Sequence, residues 1–428
     1  MEKQILHYEI AIIGGGAAGL AAAVCCAKKT AKKKGIKITV LEKENKVGRK
    51  LLATGNGKCN ITNENMSSKY YNQSGSILVE SVLARYSPKK LISFLGSLGL
   101  VCKADAAGRV YPLCGQASAV LDILRINLQA LGVEELCGVE IKSITKDKGG
   151  YRLLSKDTVI YAESVILAAG GKAQPNLGSD GASYSFAKML SLECTPTFPS
   201  LVPVKCGNKY FSVMKGVRTG AEVSLVADGV TVHSESGELQ LNESNLSGIC
   251  IFQLSRLVNE FLTLHSINGV KYQSVSIAVD FMPDFSLDEV EKMLFRRRKQ
   301  LEALNTEDFL TGILNKKIGL YLVKRLDIFS PTRKANTLSD DEIFELAETI
   351  KHCEFLPDGM SGFNTAQVTA GGISVKEVDK NMECLKHKNL FIVGEALDVD
   401  GMCGGYNLHW AFSSGIIAGN AAAERYKR

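Results

Sequence analysis

The chain has 428 residues, of which 45% are hydrophobic and 22% are charged, and it carries a formal net charge of +6 at pH 7. This composition excludes a disordered or fibrous chain, and the length suits two or three globular domains. No apolar run reaches the roughly 18 residues of a membrane span and no secretory leader is recognisable, so a cytoplasmic protein is expected. The twelve cysteines lack ligand or pairing patterns, which indicates neither a metal site nor a disulfide framework.

The first predicted element is a strand, a glycine turn and a helix. Residues 9–13 lead into Gly14, Gly16 and Gly19 at G-x-G-x-x-G spacing, and small residues follow through Ala27. In this motif the first glycine makes the turn, the second lets the backbone approach a pyrophosphate, and the third lets the helix pack closely on the sheet. The helix N-terminus would offer free N–H groups to the phosphates.

A second apolar run, residues 36–41, ends at Glu42. This residue stands 23 positions after Gly19 (42 − 19), where the acidic residue of such a unit accepts hydrogen bonds from a ribose. Strand, helix, second strand and acid occur in the expected order. The sequence therefore predicts a βαβ unit that binds a dinucleotide.

The next elements are read from hydrophobic periodicity and turn signals. We predict a helix over residues 77–98, a hairpin over 101–112, a helix over 117–131, and strands over 139–144, 151–154, 158–161 and 164–167. The last strand runs into Ala169 and Gly170 without a second G-x-G-x-x-G motif. A second dinucleotide site is therefore not expected.

The pattern changes near Pro196, where prolines and β-rich segments begin, and residues 284–350 then show helical periodicity. Ser286 and Glu289 have the spacing of a capping box, which predicts a helix start. The predicted divisions are residues 1–195 as the first part of the dinucleotide-binding domain, 196–283 as an inserted β-rich domain, 284–361 as its helical subdomain, and 362–428 as the C-terminal part of the dinucleotide-binding domain.

The final segment returns to the opening pattern. Residues 390–393 form an apolar strand that ends at Gly394 and Glu395, and a helix of small residues begins near Tyr406. The Gly-Glu turn would bring a carboxylate to the ribityl and pyrophosphate region of FAD. The positive end of the helix would point at the flavin ring. We therefore expect FAD to be held by both ends of the chain.

Several motifs resemble those of the BaiN-like family of NAD(P)/FAD-dependent oxidoreductases, flavoproteins that include bacterial aminoacetone oxidase. They are I-I-G-G-G-A-A-G at residues 12–19, G-R-K at 48–50, T-G-N-G-K-C-N at 54–60, G-R-V-Y-P at 108–112, T-A-G-G-I at 369–373, G-E at 394–395, D-V-D-G at 398–401 and G-G-Y-N-L at 404–408. The resemblance spans essentially the whole chain. It implies an α/β fold, with a glutathione-reductase-like FAD-binding Rossmann domain, an inserted β domain and a helical subdomain.

The residues predicted to bind FAD lie in these motifs and at the adjoining strand ends. They are Gly14, Gly16, Ala17, Ala18, Gly19, Glu42, Lys43, Arg49, Lys50, Thr54, Gly55, Gly57, Lys58, Cys59, Asn60, Ala169, Gly170, Gly394, Glu395, Asp400, Gly404, Gly405, Tyr406 and Asn407. Lys58 can neutralise a phosphate or an anionic reduced flavin, and Asn60 can hydrogen bond the ring edge. Arg49 would bind an anion or form a structural ion pair. A dithiol role is not expected of Cys59, because no second cysteine lies nearby in sequence.

Three residues are candidates for the catalytic chemistry. Arg109 and Tyr111 lie on the predicted hairpin, which the resemblance puts near the active site, and either could donate a proton or bind a polar substrate group. The alternative for both Arg109 and Tyr111 is a packing role without catalytic function. His409 falls in the first turn of the last helix, and histidine titrates near neutrality, so it could act as an acid or base.

The leading functional prediction is an FAD-dependent oxidoreductase that transfers hydride at flavin N5, in a cleft between the FAD domain and the insertion. The resemblance suggests reduction of a conjugated C=C bond in a steroid-like or bile-acid-like substrate, with NAD(P)H as a transient donor, or oxidation of an amine by oxygen. A non-enzymatic flavin-binding redox or regulatory protein is a further alternative. We expect a small-molecule substrate, no nucleic-acid partner and no membrane; the sequence does not fix the oligomeric state.

Overall fold

The computed structural model describes residues 3–207, 209–300 and 303–427. The strands are β1 Gln4–Ile13, β2 Ile38–Glu42, β3 Thr62–Asn63, β4 Cys102–Ala104, β5 Arg109–Pro112, β6 Glu134–Cys137, β7 Ser143–Asp147, β8 Gly150–Leu154, β9 Thr158–Leu167, β10 Phe198–Ser200, β11 Val204–Cys206, β12 Val217–Ala227, β13 Val230–Leu241, β14 Asn245–Ser247, β15 Ser266–Ile267, β16 Val270–Lys271, β17 Val275–Asp280, β18 Cys353–Phe355, β19 Pro357–Met360, β20 Val368–Ala370 and β21 Leu390–Ile392. The α-helices are α1 Ala17–Thr30, α2 Arg49–Ala53, α3 Ser76–Arg85, α4 Pro88–Gly96, α5 Ala117–Ala130, α6 Ala182–Met189, α7 Ile249–Leu264, α8 Leu287–Gln300, α9 Lys316–Arg325, α10 Asp340–Lys351 and α11 Tyr406–Glu424.

Two compact units divide the chain. Residues Met1–Thr197 and Gln367–Arg428 form the first, here called the Rossmann unit, and Phe198–Ala366 form the second, here called the inserted unit. The domain divisions inferred from the sequence, including a separate helical subdomain, stay a prediction.

The Rossmann unit is built on a seven-stranded sheet in the order β6-β2-β1-β9-β8-β7, with β21 also paired to β9. Strands β6, β2, β1, β9 and β21 are parallel, whereas β7 and β8 form an antiparallel meander with β9. The apolar residues 10–13 of β1 are buried, as expected for a central strand of a parallel sheet. This sheet confirms the predicted α/β class.

Helices α1 and α11 pack closely because their facing residues are small. A Cβ on Gly415 would fall on the carbonyl oxygen of Ala18, and one on Gly419 would fall on that of Ala22. The Cys26 thiol donates to the carbonyl of Gly419 at 3.2 Å. The first and last helices of the chain therefore share one interface, which joins the two sequence segments expected to hold FAD.

The inserted unit contains an antiparallel sheet in the order β18-β17-β12-β13-β14-β11-β19. Strands and helices share one hydrophobic core that extends from Val204 to Phe355. Helix α8 begins with the predicted capping box: the Ser286 N–H donates to Glu289 Oε2 at 2.8 Å, and the Glu289 N–H donates to Ser286 Oγ at 3.3 Å. The predicted helical periodicity of residues 284–350 resolves into α8, α9 and α10.

Three local predictions were wrong, and a fourth was incomplete. The helix expected over residues 77–98 is two helices, because Ser87 caps a new helix whose first residue is Pro88. In the strand expected at 139–144, residues 139–142 lie in the connection between β6 and β7, and only 143–144 belong to β7. The two strands expected within 158–167 are one strand. The β-rich prediction for 196–283 missed α7, whose apolar residues repeat with helical spacing between two strand-rich segments.

Among the described residues, no helix is both long enough and apolar enough to cross a membrane.

Candidate active site

The end of β1 and the start of α1 form the turn predicted from the glycine motif. Gly14 has a φ of +107°, and a Cβ there would meet the Ala168 carbonyl oxygen at 2.5 Å. Gly19 lies against the Gly14 carbonyl, with no room for a side chain. A Cβ on Gly16, by contrast, would meet no atom within 4 Å. The space beside Gly16 is therefore open, and Gly16 is the glycine that lets the backbone approach the pyrophosphate in this motif.

Helix α1 starts without a capping side chain. Gly16 occupies the N-cap position, and the first turn contains no acidic residue. The unpaired N–H groups and the positive end of the helix dipole therefore face the open space beside Gly16. Such a helix end suits a phosphate or pyrophosphate group.

Glu42 ends β2 beside this turn. Its Oε2 accepts a hydrogen bond from the Gly15 N–H at 2.8 Å, and its Oε1 accepts one from the Glu44 N–H at 2.9 Å. Each carboxylate oxygen can accept two hydrogen bonds, so both retain capacity for ribose hydroxyls. The contact with Gly15, which the sequence did not predict, also fixes the glycine turn.

Three predicted segments meet at the carboxyl ends of the parallel strands. A Cβ on Gly14 would lie 2.9 Å from the Cα of Ala169, and one on Gly394 would lie 3.0 Å from the Cβ of Ala18. Gly170 follows with a φ of +73°. The turns after β1, β9 and β21 are therefore neighbours, as the sequence required for a shared cofactor.

Three basic residues of the predicted FAD set, Lys43, Arg49 and Lys50, are ion paired. Arg49 pairs with Glu44 and also donates to the carbonyl of Asn176 at 2.9 Å. Lys43 pairs with Asp180 at 2.6 Å. The structural ion pair considered for Arg49 is thus present, and an anion bound by Arg49 would compete with Glu44.

Lys50 and Glu395 join the two ends of the chain. The Lys50 Nζ lies 2.6 Å from Glu395 Oε2, and the Thr369 N–H donates to Glu395 Oε1 at 2.8 Å. The Thr369 hydroxyl oxygen accepts from the N–H groups of Lys172 and Ala173 at 2.7 and 2.9 Å. This network fixes the Gly-Glu turn, and Thr369 is a member that the sequence analysis quoted only as part of a motif.

The 54–60 loop has an unusual backbone. Gly55, Asn56, Gly57 and Cys59 have φ values of +57°, +53°, +81° and +59°. Holding asparagine and cysteine in this region costs about 1–3 kcal/mol each, which indicates a backbone fixed by its surroundings. The Thr54 hydroxyl donates to the Leu51 carbonyl at 2.7 Å at the start of the loop.

Side chains of this loop have distinct exposures. Lys58 is exposed, whereas Cys59 is fully buried. Burial raises the pKa of the Cys59 thiol to about 12, so it is protonated at neutral pH and unsuited to thiolate chemistry. The charge of Cys102 would raise this pKa further, and the absence of a dithiol role for Cys59 stays a prediction.

The N-terminus of α11 lies against residues 60–62. Gly404 and Gly405 have φ values of +131° and +100°, and a Cβ on Gly405 would meet the Thr62 carbonyl oxygen at 2.5 Å and Asn60 Oδ1 at 2.8 Å. The helix has no capping side chain and no acidic residue in its first turn. Asn60 Oδ1 is buried and accepts no hydrogen bond from any residue that the structure describes. Within the described residues, an acceptor and a set of N–H donors thus lie side by side without hydrogen-bond partners.

Residues around the start of α11 hold this arrangement. Asn407 Oδ1 accepts from the Gly401 N–H at 2.8 Å, and its Nδ2 donates to the Gly401 carbonyl at 2.7 Å. The Tyr71 hydroxyl donates to the Tyr406 carbonyl at 2.8 Å. The structure therefore gives Asn407 and the Tyr406 backbone contacts within the protein, which position the loop before the helix.

The 60–76 segment contributes buried polar contacts that the sequence analysis missed. The Asp398 carboxylate accepts from Asn72 Nδ2 at 2.8 Å and from Ser74 Oγ at 2.9 Å. Asn72 Oδ1 also accepts from the Asp400 N–H at 3.1 Å, and the Asn72 N–H donates to the Asp400 carbonyl at 2.9 Å. No local motif marks Asn72, because its partners Asp398 and Asp400 lie more than 300 residues away.

The predicted hairpin is formed by β4 and β5, and β3 pairs with β5. Arg109 Nε donates to Asp105 Oδ2 at 2.8 Å. Tyr111 is half-buried, and a Cβ on Gly55 would lie 3.7 Å from its ring. Both catalytic candidates of the hairpin therefore adjoin the elements described above.

His409 lies within the protein and is only 1% exposed. Its Nε2 donates to the Tyr86 carbonyl at 2.9 Å, and its Nδ1 accepts from the Thr62 hydroxyl at 2.8 Å. Burial lowers the pKa of the imidazole to about 4, so it is neutral at physiological pH. These contacts suit a residue that positions β3 against α11; an acid–base role stays a prediction without structural support.

We expect His409→Gln to flatten the acid dependence of stability. The folded pKa of about 4 lies below the ordinary 6.5, so the unfolded chain binds the proton first as the pH falls. The contribution of neutral His409 to the free energy of unfolding is therefore complete above pH 6.5. It decreases by about 3 kcal/mol in all as the pH falls to 4. Urea unfolding across this range should show a loss in the wild type that the variant lacks. An equal loss of stability with falling pH in the wild type and the variant would contradict the low pKa assigned to His409.

These features fit FAD. The open space at Gly16 and the uncapped α1 would receive the pyrophosphate, and Glu42 has capacity for the ribose. The uncapped α11 and the unpartnered Asn60 Oδ1 offer donors and an acceptor, as the edge of a flavin ring requires. The chemistry of the unpaired groups therefore matches both ends of the cofactor.

Comparison with known proteins gives the family. A family model described as "HI0933-like protein Rossmann domain" matches residues 8–421. A 3-dehydro-bile acid delta(4,6)-reductase of Clostridium scindens is 34% identical over 91% of this chain and 93% of its own. A ribosomal RNA dihydrouridine synthase of Haemophilus influenzae is 28% identical over 89% and 91%.

A solved structure supports the fold. The 3-ketosteroid delta1-dehydrogenase of Sterolibacterium denitrificans, in complex with 1,4-androstadiene-3,17-dione, has a TM-score of 0.52 at 13% identity and covers 98% of this chain and 100% of its own. At this identity the likeness extends to the fold alone.

The fold and site define an FAD-dependent oxidoreductase with a Rossmann sheet. The chain belongs to the HI0933-like family, which confirms the relationship expected from its motifs.

Proposed function

We propose that this protein reduces a carbon–carbon double bond conjugated to a carbonyl group in a small organic molecule. The observation that carries the proposal is the 34% identity, over 91% of the chain, to a reductase named for a 3-dehydro-bile acid. The dihydrouridine synthase relative is named for adding two hydrogens to a uracil ring. A 3-oxo-4,6-diene and a uracil both contain a double bond conjugated to a carbonyl, so one chemistry accounts for both names.

FAD, when bound and reduced, supplies a hydride, which carries both electrons of the reduction. The chain would hold it through the α1 N-terminus, Glu42, the 54–60 loop and the α11 N-terminus. The first two would bind the pyrophosphate and ribose, and the last two would border the ring. Negative charge on the reduced ring would be stabilised by the free N–H groups of α11.

The substrate determines what the remaining residues must do. Hydride addition at the carbon β to the carbonyl moves the π electrons onto the carbonyl oxygen, which gives an enolate. The α-carbon then takes a proton, and the product contains two more hydrogens than the substrate. The site therefore needs a donor for the oxygen and a proton source for the α-carbon.

An anaerobic experiment tests this function. The flavin of the purified protein is reduced with NADH or NADPH, and 2-cyclohexenone or a 3-oxo-4-ene steroid is then added. We expect the donor to bleach the flavin, the enone to restore its colour, and mass spectrometry to show a product two hydrogens heavier. Bleaching by either nucleotide would support the expected NAD(P)H donor.

Other outcomes would replace the proposal. Peroxide and ammonia formed from aminoacetone and oxygen, without enone turnover, would favour the amine-oxidase alternative. Dihydrouridine formed in a ribosomal RNA transcript, again without enone turnover, would overturn both the small-molecule substrate and the expected absence of a nucleic-acid partner. A flavin that exchanges electrons with none of these substrates would favour a binding or regulatory role.

A further inference from the structure

Asp105 builds the turn of the β4–β5 hairpin and holds Arg109 at the same time. Its Oδ1 accepts from the N–H groups of Ala107 and Arg109 at 2.9 and 3.0 Å, and its Oδ2 accepts from Arg109 Nε at 2.8 Å. The Asp105 N–H in turn donates to the Arg109 carbonyl at 2.9 Å. The Asp105 carboxylate therefore holds Arg109 Nε in a fixed position relative to the backbone of the hairpin turn.

The two Nη groups of Arg109, unlike its Nε, stay available to a ligand. Neither Nη atom has a hydrogen-bond partner among the residues that the structure describes, and the side chain is 40% exposed. Arginine keeps its charge at any physiological pH and presents two parallel N–H groups at this edge. It can bind an oxygen that becomes negative, but it is a poor source of protons.

Arg109 belongs to the same cluster as the α11 N-terminus. It pairs with Asn63 in the β3–β5 ladder, and Asn63 Nδ2 donates to the carbonyl of Gly404 at 3.0 Å. The guanidinium also lies close enough to Cys403 to lower the pKa of its thiol against the larger effect of burial. One strand pair and one hydrogen bond thus connect Arg109 to the residues that begin α11.

Tyr111, two residues along β5, has complementary properties. Burial raises the pKa of its hydroxyl, although the nearby Arg109 charge opposes the effect, so the group is protonated at neutral pH. The hydroxyl makes no hydrogen bond within the described part of the chain. A protonated phenol beside a fixed cation can give up a proton, because the cation stabilises the phenolate that remains.

We propose that Arg109, positioned by Asp105, binds the carbonyl oxygen of the substrate and that Tyr111 protonates the α-carbon. This division of roles rests on the proposed function. As hydride reaches the β-carbon, the electron pair of the double bond moves onto the oxygen held by the Arg109 Nη groups. The Tyr111 O–H proton then passes to the α-carbon while the C=O bond re-forms. Tyr111 regains its proton from solvent, so two electrons and two hydrogens enter the substrate.

A phenol serves as an unreactive probe of the Arg109 site, because its phenolate resembles an enolate. 4-Chlorophenol is titrated into the oxidised holoenzyme, and binding is followed through the perturbed flavin spectrum and by calorimetry. We expect Arg109 to favour the phenolate, so that binding persists below the pKa of the free phenol. Arg109→Gln should weaken phenolate binding at least tenfold and move the midpoint of its pH dependence upward. The surface variant Arg125→Gln is the control and should match the wild type.

The roles of Asp105 and Tyr111 have separate readouts. Asp105→Asn keeps Oδ1 for the turn but places N–H groups against Arg109 Nε. The midpoint of the pH dependence of phenolate binding should therefore move in the same direction as in Arg109→Gln, with little change in Tm. Tyr111→Phe should leave phenolate affinity within about twofold and lower kcat for enones at least thirtyfold. A Tyr111→Phe enzyme with unchanged kcat would overturn the assignment of the proton donor.

The assignment and the proposed function can fail separately. Enone reduction with an Arg109→Gln enzyme that retains wild-type phenolate binding and kcat/KM would overturn the role of Arg109 and leave the reductase proposal standing. Phenolate binding that depends on Arg109, in an enzyme that reduces no enone, would support an oxyanion site and overturn the reductase proposal. Equal phenolate midpoints in the wild type and Asp105→Asn would overturn the positioning role.

Discussion

Gly415→Ala is expected to destabilise the Rossmann unit by about 3 kcal/mol, the upper part of the usual range for overpacking. The added methyl group would fall on the carbonyl oxygen of Ala18, and its other near neighbours are the carbonyl carbon and Cα of the same residue. Backbone cannot rotate away as a side chain can, so α1 and α11 must separate. The separation would also displace the glycine turn before α1. Urea unfolding of the apoprotein measures the loss.

Gly96→Ala is the matched control for this variant. Gly96 ends α4, and a Cβ there would meet no atom within 4 Å. Alanine is the better helix former by about 1 kcal/mol, so the control should be neutral or slightly more stable than the wild type. Equal stability of Gly415→Ala and Gly96→Ala would show that the α1–α11 interface can widen at no cost.

Gly16→Val is expected to weaken FAD binding about a hundredfold while leaving the apoprotein as stable as the wild type. Gly16 has φ −83° and ψ −173°, a region that valine adopts readily, and its Cβ position is empty. The side chain would therefore fold without strain but occupy the space proposed for the pyrophosphate. A hundredfold weakening corresponds to about 2.7 kcal/mol of binding free energy. Calorimetric titration of the apoprotein with FAD, alongside urea unfolding, separates the two effects.

Gly149→Val controls for a valine at an open glycine. Gly149 lies in the turn between β7 and β8, and a Cβ there likewise meets no atom within 4 Å. This variant should bind FAD like the wild type. Unchanged FAD affinity in Gly16→Val would refute the pyrophosphate position, whereas a loss of apoprotein stability would show that the site is less open than the structure indicates.

Local signals predicted the elements whose determinants are adjacent in sequence. The turn at Gly14 requires a positive φ, and the tight passage of Gly19 excludes a side chain, so the motif itself specifies strand, turn and helix. The capping box at Ser286 is equally local. Helix α7 was missed because a periodic apolar segment between strand-rich segments is ambiguous without its packing partners.

Charged and polar site residues were harder to interpret, since their roles depend on partners distant in sequence. Arg49 and Lys43 have the charge that a phosphate site needs, yet the fold pairs both with carboxylates. His409 has the chemistry of a catalyst, but its two ring nitrogens contact Thr62 and Tyr86. Their assignments as cofactor-binding or catalytic residues stay predictions.

By itself, the sequence determined the fold class, the glycine turn and the family, because these depend on short-range spacing and on motifs that survive as contiguous letters. The tertiary structure decided which residues are unpaired. Among the residues that the structure describes, Asn60 Oδ1 has no hydrogen-bond partner whereas Lys50 pairs with Glu395. Arg109 has its Nε bound by Asp105 and its Nη groups unbonded within the same residues. Pairing follows from contacts between residues far apart in the chain, and a side chain that has satisfied its charge or hydrogen bonds within the protein has less to offer a ligand.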